Sequence, residues 1–166
     1  MRAIVAVDRH GGIAKDGGIP WKIKEDMKWF RWVTTNEHVV MGSKTYLTIG
    51  KPLPKRVNGV LSRGHRFDDG CVNLKGFEPA LRWAQERDAI IMGGKEVYDL
   101  FAPYITTWIV TKVNEVYDCD MKIDMSIINQ IPVVQHFMLC HCCTVAVHSS
   151  SKFNSIEYPH EFNPGV

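Results

Sequence analysis

Short, uniformly apolar runs that end near glycine and give way to longer amphipathic stretches constrain this chain more than any other feature. Residues 3–7 (Ala-Ile-Val-Ala-Val), 38–41 (His-Val-Val-Met) and 89–92 (Ala-Ile-Ile-Met) are too short for buried helices. They also lack the alternation of a strand with one wet face, so they predict strands covered on both sides. Residues 57–61 and 72–74 read as further short strands, and 106–113 as a longer one. Between them lie helical patterns. Residues 24–34 place apolar side chains at positions 27, 29, 30 and 33, a short helix follows Gly42, and residues 76–85 tolerate Pro79 in their first turn. A last helix is expected over 95–101. Alternation of this kind is the signature of an α/β fold.

Beyond Asp118 the pattern blurs, and residues 133–139, 144–147 and 153–158 read as antiparallel strands that finish the sheet. Neither a repeat nor a linker interrupts the 166 residues, a length that suits one complete domain over 1–166 with an irregular tail at 159–166. Twenty Lys and Arg against eighteen Asp and Glu leave a net charge of +2. That balance offers no electrostatic case for nucleic acid or an anionic membrane. The run 3–7 is stopped by Asp8, Arg9 and His10, well short of a signal-peptide core or a spanning helix. Five cysteines, three of them crowded into 140–143, do not form a secreted disulfide framework and read as reduced thiols of a cytoplasmic chain.

Chemistry is expected where strands meet glycine. Met41-Gly42-Ser43 and Met92-Gly93-Gly94 each enter a short helix, whose free N–H groups could receive phosphates. Neither has the spaced glycines of the dinucleotide fingerprint or the P-loop lysine. Leu61-Ser62-Arg63 ends a strand with a hydroxyl and a guanidinium. With Lys44 it could clamp an anionic group, or both cations could simply be solvated. Gly11, Gly12, Gly17 and Gly18 lie within eight positions before Pro20 and make that loop mobile or conformationally unusual. Asp26 falls on the apolar stripe with Phe30 and Val33, whereas Glu25 and Lys28 can face water. Burial raises a carboxyl pKa, which suits a group that must hold or pass a proton; a cap or a structural aspartate is the alternative. Cys140-His141-Cys142-Cys143 holds soft ligands, but contiguous residues on a strand point to opposite faces. The stretch therefore reads as an ordinary thiol-rich strand with no metal.

These segments, in this order, resemble dihydrofolate reductase over residues 1 to about 120. The residues that carry the likeness are Pro20-Trp21, Asp26 and Phe30, Met41-Gly42 with Thr45, and Gly50 with Pro52-Leu53-Pro54 and Arg56. Leu61-Ser62-Arg63, Gly93-Gly94 with Val97-Tyr98, and Thr111 complete the set. The resemblance implies a mostly parallel twisted sheet with an antiparallel C-terminal edge and helices on both faces. It implies a monomeric, cytoplasmic, NADPH-dependent oxidoreductase of one-carbon metabolism, an antifolate target that reduces 7,8-dihydrofolate to tetrahydrofolate.

It further implies that Asp26 binds the pterin and supports its protonation, with Thr111 and Trp21 assisting, partly through water. Ile4 and Met92 would present backbone carbonyls to the ring. Ala6, Met27, Phe30, Ile49 and Leu53 would wall the pterin and benzoyl groups, and Arg56 would pair with the substrate's α-carboxylate. For NADPH, Lys44, Ser62, Arg63 and Lys75 match the surroundings of the adenosine 2′-phosphate, and Gly42, Ser43 and Leu61 would also border the cofactor. Thr45 and the stretch Gly94-Lys95-Glu96-Val97 would face the pyrophosphate. Ala6, Ile13, Ile19 and Tyr98 would border the nicotinamide, Gly93-Gly94 would form a cis peptide, and loop 11–18 would close over the site.

Departures include Ala14 and Ser43, where glycine and a basic residue are frequent, and Glu96 beside an expected phosphate. The riboflavin-pathway reductases share such a fold but would not need the set of Trp21, Asp26, Phe30 and Arg56. A non-catalytic ligand-binding member would not need a buried acid.

Overall fold

The computed structural model describes residues 1–67 and 69–159. The chain runs through β1 (Arg2–Val7), β2 (Gly12–Ala14), α1 (Lys24–Thr34), β3 (His38–Gly42), α2 (Ser43–Ile49), β4 (Val57–Ser62), β5 (Val72–Lys75) and α3 (Phe77–Arg87). It continues through β6 (Ile90–Ile91), α4 (Lys95–Phe101), a 3-10 turn at Ala102–Tyr104, β7 (Thr107–Val113), β8 (Met121–Lys122), α5 (Met125–Asn129), β9 (Val133–Cys140) and β10 (Cys143–Ser149).

Eight strands form one sheet in the order β5-β4-β3-β6-β1-β7-β10-β9. From β5 through β7 every pairing is parallel, and β10 and β9 close the edge antiparallel. The apolar runs behave as expected of doubly covered strands. In β1, Ala3, Val5 and Val7 join the core on one face, where α3 and α4 contribute Ala80, Leu81, Ala84, Val97 and Phe101. Ile4 turns to the other face, among Trp29 and Val33 of α1 and Tyr46 of α2. Strand period two therefore delivers one sequence run to two cores. After β5 the chain returns to insert β6 between β3 and β1, then places β7 on the far side of β1. That reversal opens a crevice at the carboxyl ends of the central strands, where open α/β sheets take their ligands.

Two expectations need correction. Residues 153–158 form no strand. Their apolar side chains, Phe153, Ile156 and Tyr158, do not alternate, and the backbone N–H and C=O of Ile156 are taken by the side-chain amide of Gln135, at 2.8 and 3.0 Å. Trp32 Nε1 donates to the Glu157 carbonyl, so side chains hold the segment in place of a ladder. The glycine loop, in turn, is not wholly irregular, because Gly12–Ala14 pairs antiparallel with Met121–Lys122. Of the tail at 159–166, only Pro159 is among the described residues.

Candidate active site

Helix α1 carries Glu25 and Asp26 in its first turn, where the helix dipole favours negative charge. Glu25 faces water, whereas Asp26 is half-buried on the cleft wall beside Thr111 of β7. Loss of solvent pushes the Asp26 carboxyl above the usual aspartate value of 3.8, and a hydrogen bond with Thr111 offsets only part of that rise. The Trp21 ring N–H also favours the charged carboxylate, yet it forms no hydrogen bond of normal geometry and its Nε1 is buried without a partner. Trp21 itself is fixed behind the cleft, its ring 5.2 Å from that of Tyr117.

Asp26 opens on a cleft of about 1570 Å³ that runs across the central strands from β4 to β7. Ile4 and Ala6, two apart on β1, line its floor together with Thr111 and Met92, and Phe30, Ile49 and Leu53 line its walls. Met27 and Ile19 lie at the rim with 62% and 61% of their surface exposed, apolar side chains that a flat ring could cover. The Ile4 carbonyl already accepts a hydrogen bond of 2.7 Å from Tyr98 Oη, and burial raises the pKa of that phenol. At the outer end of this wing Arg56 is held in place: Nε donates to the Pro54 carbonyl at 2.8 Å and a terminal nitrogen donates to Thr34 Oγ1 at 3.0 Å. Desolvation and the neighbouring Arg31 charge lower its pKa, so two cations converge on one end of the cleft.

The second wing is built on the two glycine junctions. Gly42 N–H donates to the Gly93 carbonyl at 2.9 Å, tying the start of α2 to the start of α4. The Gly93-Gly94 peptide is cis, and Gly93 holds φ at +119° beneath Tyr98. A Cβ on Gly42 would come within 3.1 Å of Val97 Cγ2, and one on Gly94 within 3.2 Å of Thr45 Oγ1. Neither helix start carries a side-chain cap, so the first-turn N–H groups face the cleft unshielded. Ser43, Lys44, Thr45, Leu61, Ser62, Arg63, Glu96 and Val97 all line this wing. Ser62 Oγ accepts from His65 N at 2.9 Å and shapes the turn that carries Arg63. Lys95 reaches the cleft, but its ammonium pairs with Asp99 at 2.9 Å on the same helix. Lys75 is exposed at the end of β5 and does not line the cleft; it ends a strand that stops one residue short of the lining Gly76.

The glycine loop lies against the cleft through Ile13, Gly17, Gly18 and Ile19. Its tip touches the opposite wall, where Thr48 Oγ1 donates to the Gly17 carbonyl at 3.4 Å. Its base hangs on Asp8, which is 3% exposed. One Asp8 oxygen accepts from the N–H groups of His10 and Gly12, both at 2.8 Å, and the other from Tyr117 N–H at 3.0 Å and the Cys119 thiol at 3.6 Å. Burial alone would raise this carboxyl, but the converging donors carry it below 3.8.

The cysteine-rich stretch is not a run of strand residues pointing apart. Cys140 and Cys143 end β9 and begin β10 as cross-strand partners, with His141 and Cys142 forming the turn between them. The hairpin brings the three sulfurs together, outside the cleft. Reading the site from sequence also missed Arg31, Thr48 and His65, which line the cleft. Arg31 sits four positions after Met27 on α1, a helical spacing that could have placed it on the same wall.

A family model for dihydrofolate reductase matches residues 1–131. The chain is 37% identical over 118 residues to dihydrofolate reductase of Haemophilus influenzae, covering 70% of this chain and 74% of that protein. It is 33% identical over 119 residues to the Staphylococcus haemolyticus enzyme, with 70% and 72% covered. Among solved structures, dihydrofolate reductase from Enterococcus faecalis, complexed with NADP(H) and RAB-propyl, superposes with a TM-score of 0.79 at 25% identity, covering 90% of this chain and 96% of that one.

Proposed function

The chain belongs to the dihydrofolate reductase family, whose reaction is the NADPH-dependent reduction of 7,8-dihydrofolate to 5,6,7,8-tetrahydrofolate, and we propose that Asp26 is the acid on which that reaction turns here. The observation that carries this reading is a desolvated carboxyl, with a raised pKa, on the wall of an apolar cleft. A flat heterocycle lying on Ile4, Ala6 and Phe30 would present its polar edge to Asp26 and Thr111. There the carboxyl can hold a proton to higher pH than a free aspartate and support its delivery to the ring. The orphaned Trp21 N–H faces the same acid and would help order the water that carries the proton.

Arg56, oriented by Thr34 and Pro54, would receive the α-carboxylate of the substrate's glutamate as a bidentate pair, with Arg31 adding charge. NADPH, when bound, supplies the hydride. The second wing suits it: the two glycine junctions leave room that a Cβ would fill, the helix starts offer unshielded N–H groups, and Lys44, Ser62 and Arg63 would meet the 2′-phosphate. The loop from Gly11 to Gly18, already touching Thr48, would close over the nicotinamide side and exclude water.

We further propose that the protein works as a cytoplasmic monomer. Among the described residues no helix is long and apolar enough to cross a membrane. The decisive assay follows NADPH absorbance with dihydrofolate. Folded protein should show substrate-dependent decay, and its absence overturns the reading. Equal use of NADH would remove the roles given to Lys44 and Arg63.

A further inference from the structure

The β9–β10 turn gathers a group of side chains that the reductase site does not use. Cys140 Sγ lies 3.0 Å from both Cys142 Sγ and Cys143 Sγ, and all three sulfurs fall within 4.8 Å of one another. The two-residue turn is also held from outside. Asn114 N–H donates to the Cys142 carbonyl at 2.9 Å, and the Asn114 amide reaches the His141 carbonyl at 3.4 Å. Cys143 is wholly buried and Cys140 nearly so, whereas Cys142 is half-buried and leaves one side of the group open.

From this arrangement we propose that Cys140, Cys142 and Cys143 bind a single soft d10 cation of the zinc, cadmium or copper(I) class. Thiolate sulfur selects such ions over magnesium or calcium. A tetrahedral ion with metal–sulfur bonds of about 2.3 Å needs its sulfurs about 3.8 Å apart. The separations present, from 3.0 Å to no more than 4.8 Å, bracket that value, so side-chain rotation within the fixed turn suffices. For a divalent ion the step is M²⁺ + 3 RSH → [M(SR)₃]⁻ + 3 H⁺, with no change of oxidation state. The fourth position faces the open side at Cys142, where water completes the shell.

Cadmium(II) is the probe. It is added without oxygen to the whole chain, kept reduced with a phosphine, while thiolate-to-metal charge-transfer absorbance and native mass spectrometry are followed. The expected result is a band that saturates at one ion per chain, and, at a given charge state, a mass shift of one cadmium less two hydrogens. Cys142→Ser, at the exposed corner, should weaken binding at least about tenfold, since even outer-shell changes at metal sites cost that much. Cys71→Ser, remote in the chain, should leave binding unchanged. Cys140→Ser and Cys143→Ser should lose more, and if either fails to fold, the Cys142 variant and the mass shift still decide. No uptake by the reduced chain, non-saturating uptake beyond one ion, or a full-strength band in Cys142→Ser would each overturn the proposal. So would conversion of the three thiols to a disulfide-bonded pair that no reduction restores to metal binding.

Discussion

Two aspartates taken out of water end up on opposite sides of their ordinary pKa, and the contrast separates the part of this protein that holds its shape from the part that does chemistry. Asp8, just after β1, exposes almost none of its surface but lies under a thin cover of protein, and its carboxyl is lowered because three backbone N–H groups and a thiol converge on it. Asp26 keeps some exposed surface on the cleft, but its carboxyl is set deeper among protein atoms and is raised because desolvation outweighs what Thr111 and Trp21 return. Burial alone therefore does not set the charge state of a carboxyl. Depth beneath the protein and the number of donors aimed at the charged form set it together, and the two acids differ in both. A saturated acid is a structural post; an under-satisfied one facing a cleft is available to a ligand.

The largest expected effect breaks the pair on the catalytic side. Asp26→Asn should lower turnover with dihydrofolate by about 10²-fold or more near neutral pH, the scale of a lost general acid. The loss should shrink at acid pH, where substrate arrives protonated, and pH-resolved NADPH assays would show both. Its stability in urea near neutral pH should rise, since the charge removed was poorly solvated.

Asp8→Asn should do the reverse, lowering stability by about 2–4 kcal/mol as buried donors lose their acceptor, measured by urea unfolding. Gly12→Ala attacks the same post from the loop. A Cβ there would lie 2.6 Å from Cys119 Cβ and Sγ and 2.8 Å from Asp8 Oδ2. A destabilisation of about 1–3 kcal/mol is expected from such overpacking, and a double-mutant cycle with Asp8→Asn should be non-additive. Arg56→Lys should raise the KM for dihydrofolate about tenfold with kcat nearly unchanged, because lysine cannot keep the fork that Thr34 and Pro54 now orient.

The smallest effect is in the pH dependence of stability, where the two acids act with opposite sign. The Asp8 contribution is present above the unfolded value near 3.8 and is lost as pH falls through its lower folded pKa. For Asp26 the folded chain takes up its proton first, so stability rises as pH falls from its folded pKa toward 3.8. Unfolding curves of each asparagine variant, set against the parent across that range, should diverge in opposite directions.

Local pattern made much of this legible. Helices α1 and α4 fall at the residues their periodicity and glycine boundaries predict, and the doubly buried strands stand out as apolar runs. The resemblance pointed to Asp26, Arg56 and the glycine junctions, and the cleft gathers them. What stayed hidden depends on pairing across the chain. Strands β2 and β8, with three and two residues, exist because they meet each other, not because of any periodicity of their own. Asp8 gave only the sign of an ended apolar run, since its donors come from residues as distant as Tyr117. The thiol turn was misread because contiguous cysteines on a straight strand diverge, while on a two-residue hairpin they converge. Lys75 is exposed at the end of β5 beside Gly76, which lines the cleft, so sequence adjacency brings it to the cleft's edge rather than into its wall.

One measurement reads both carboxyls: a ¹³C NMR titration of the aspartate side chains, with Asp8→Asn and Asp26→Asn assigning the two signals. Asp26 should titrate above 3.8 and Asp8 below it in the same sample. An Asp26 signal at or below the ordinary value, or one below that of Asp8, would contradict that expectation.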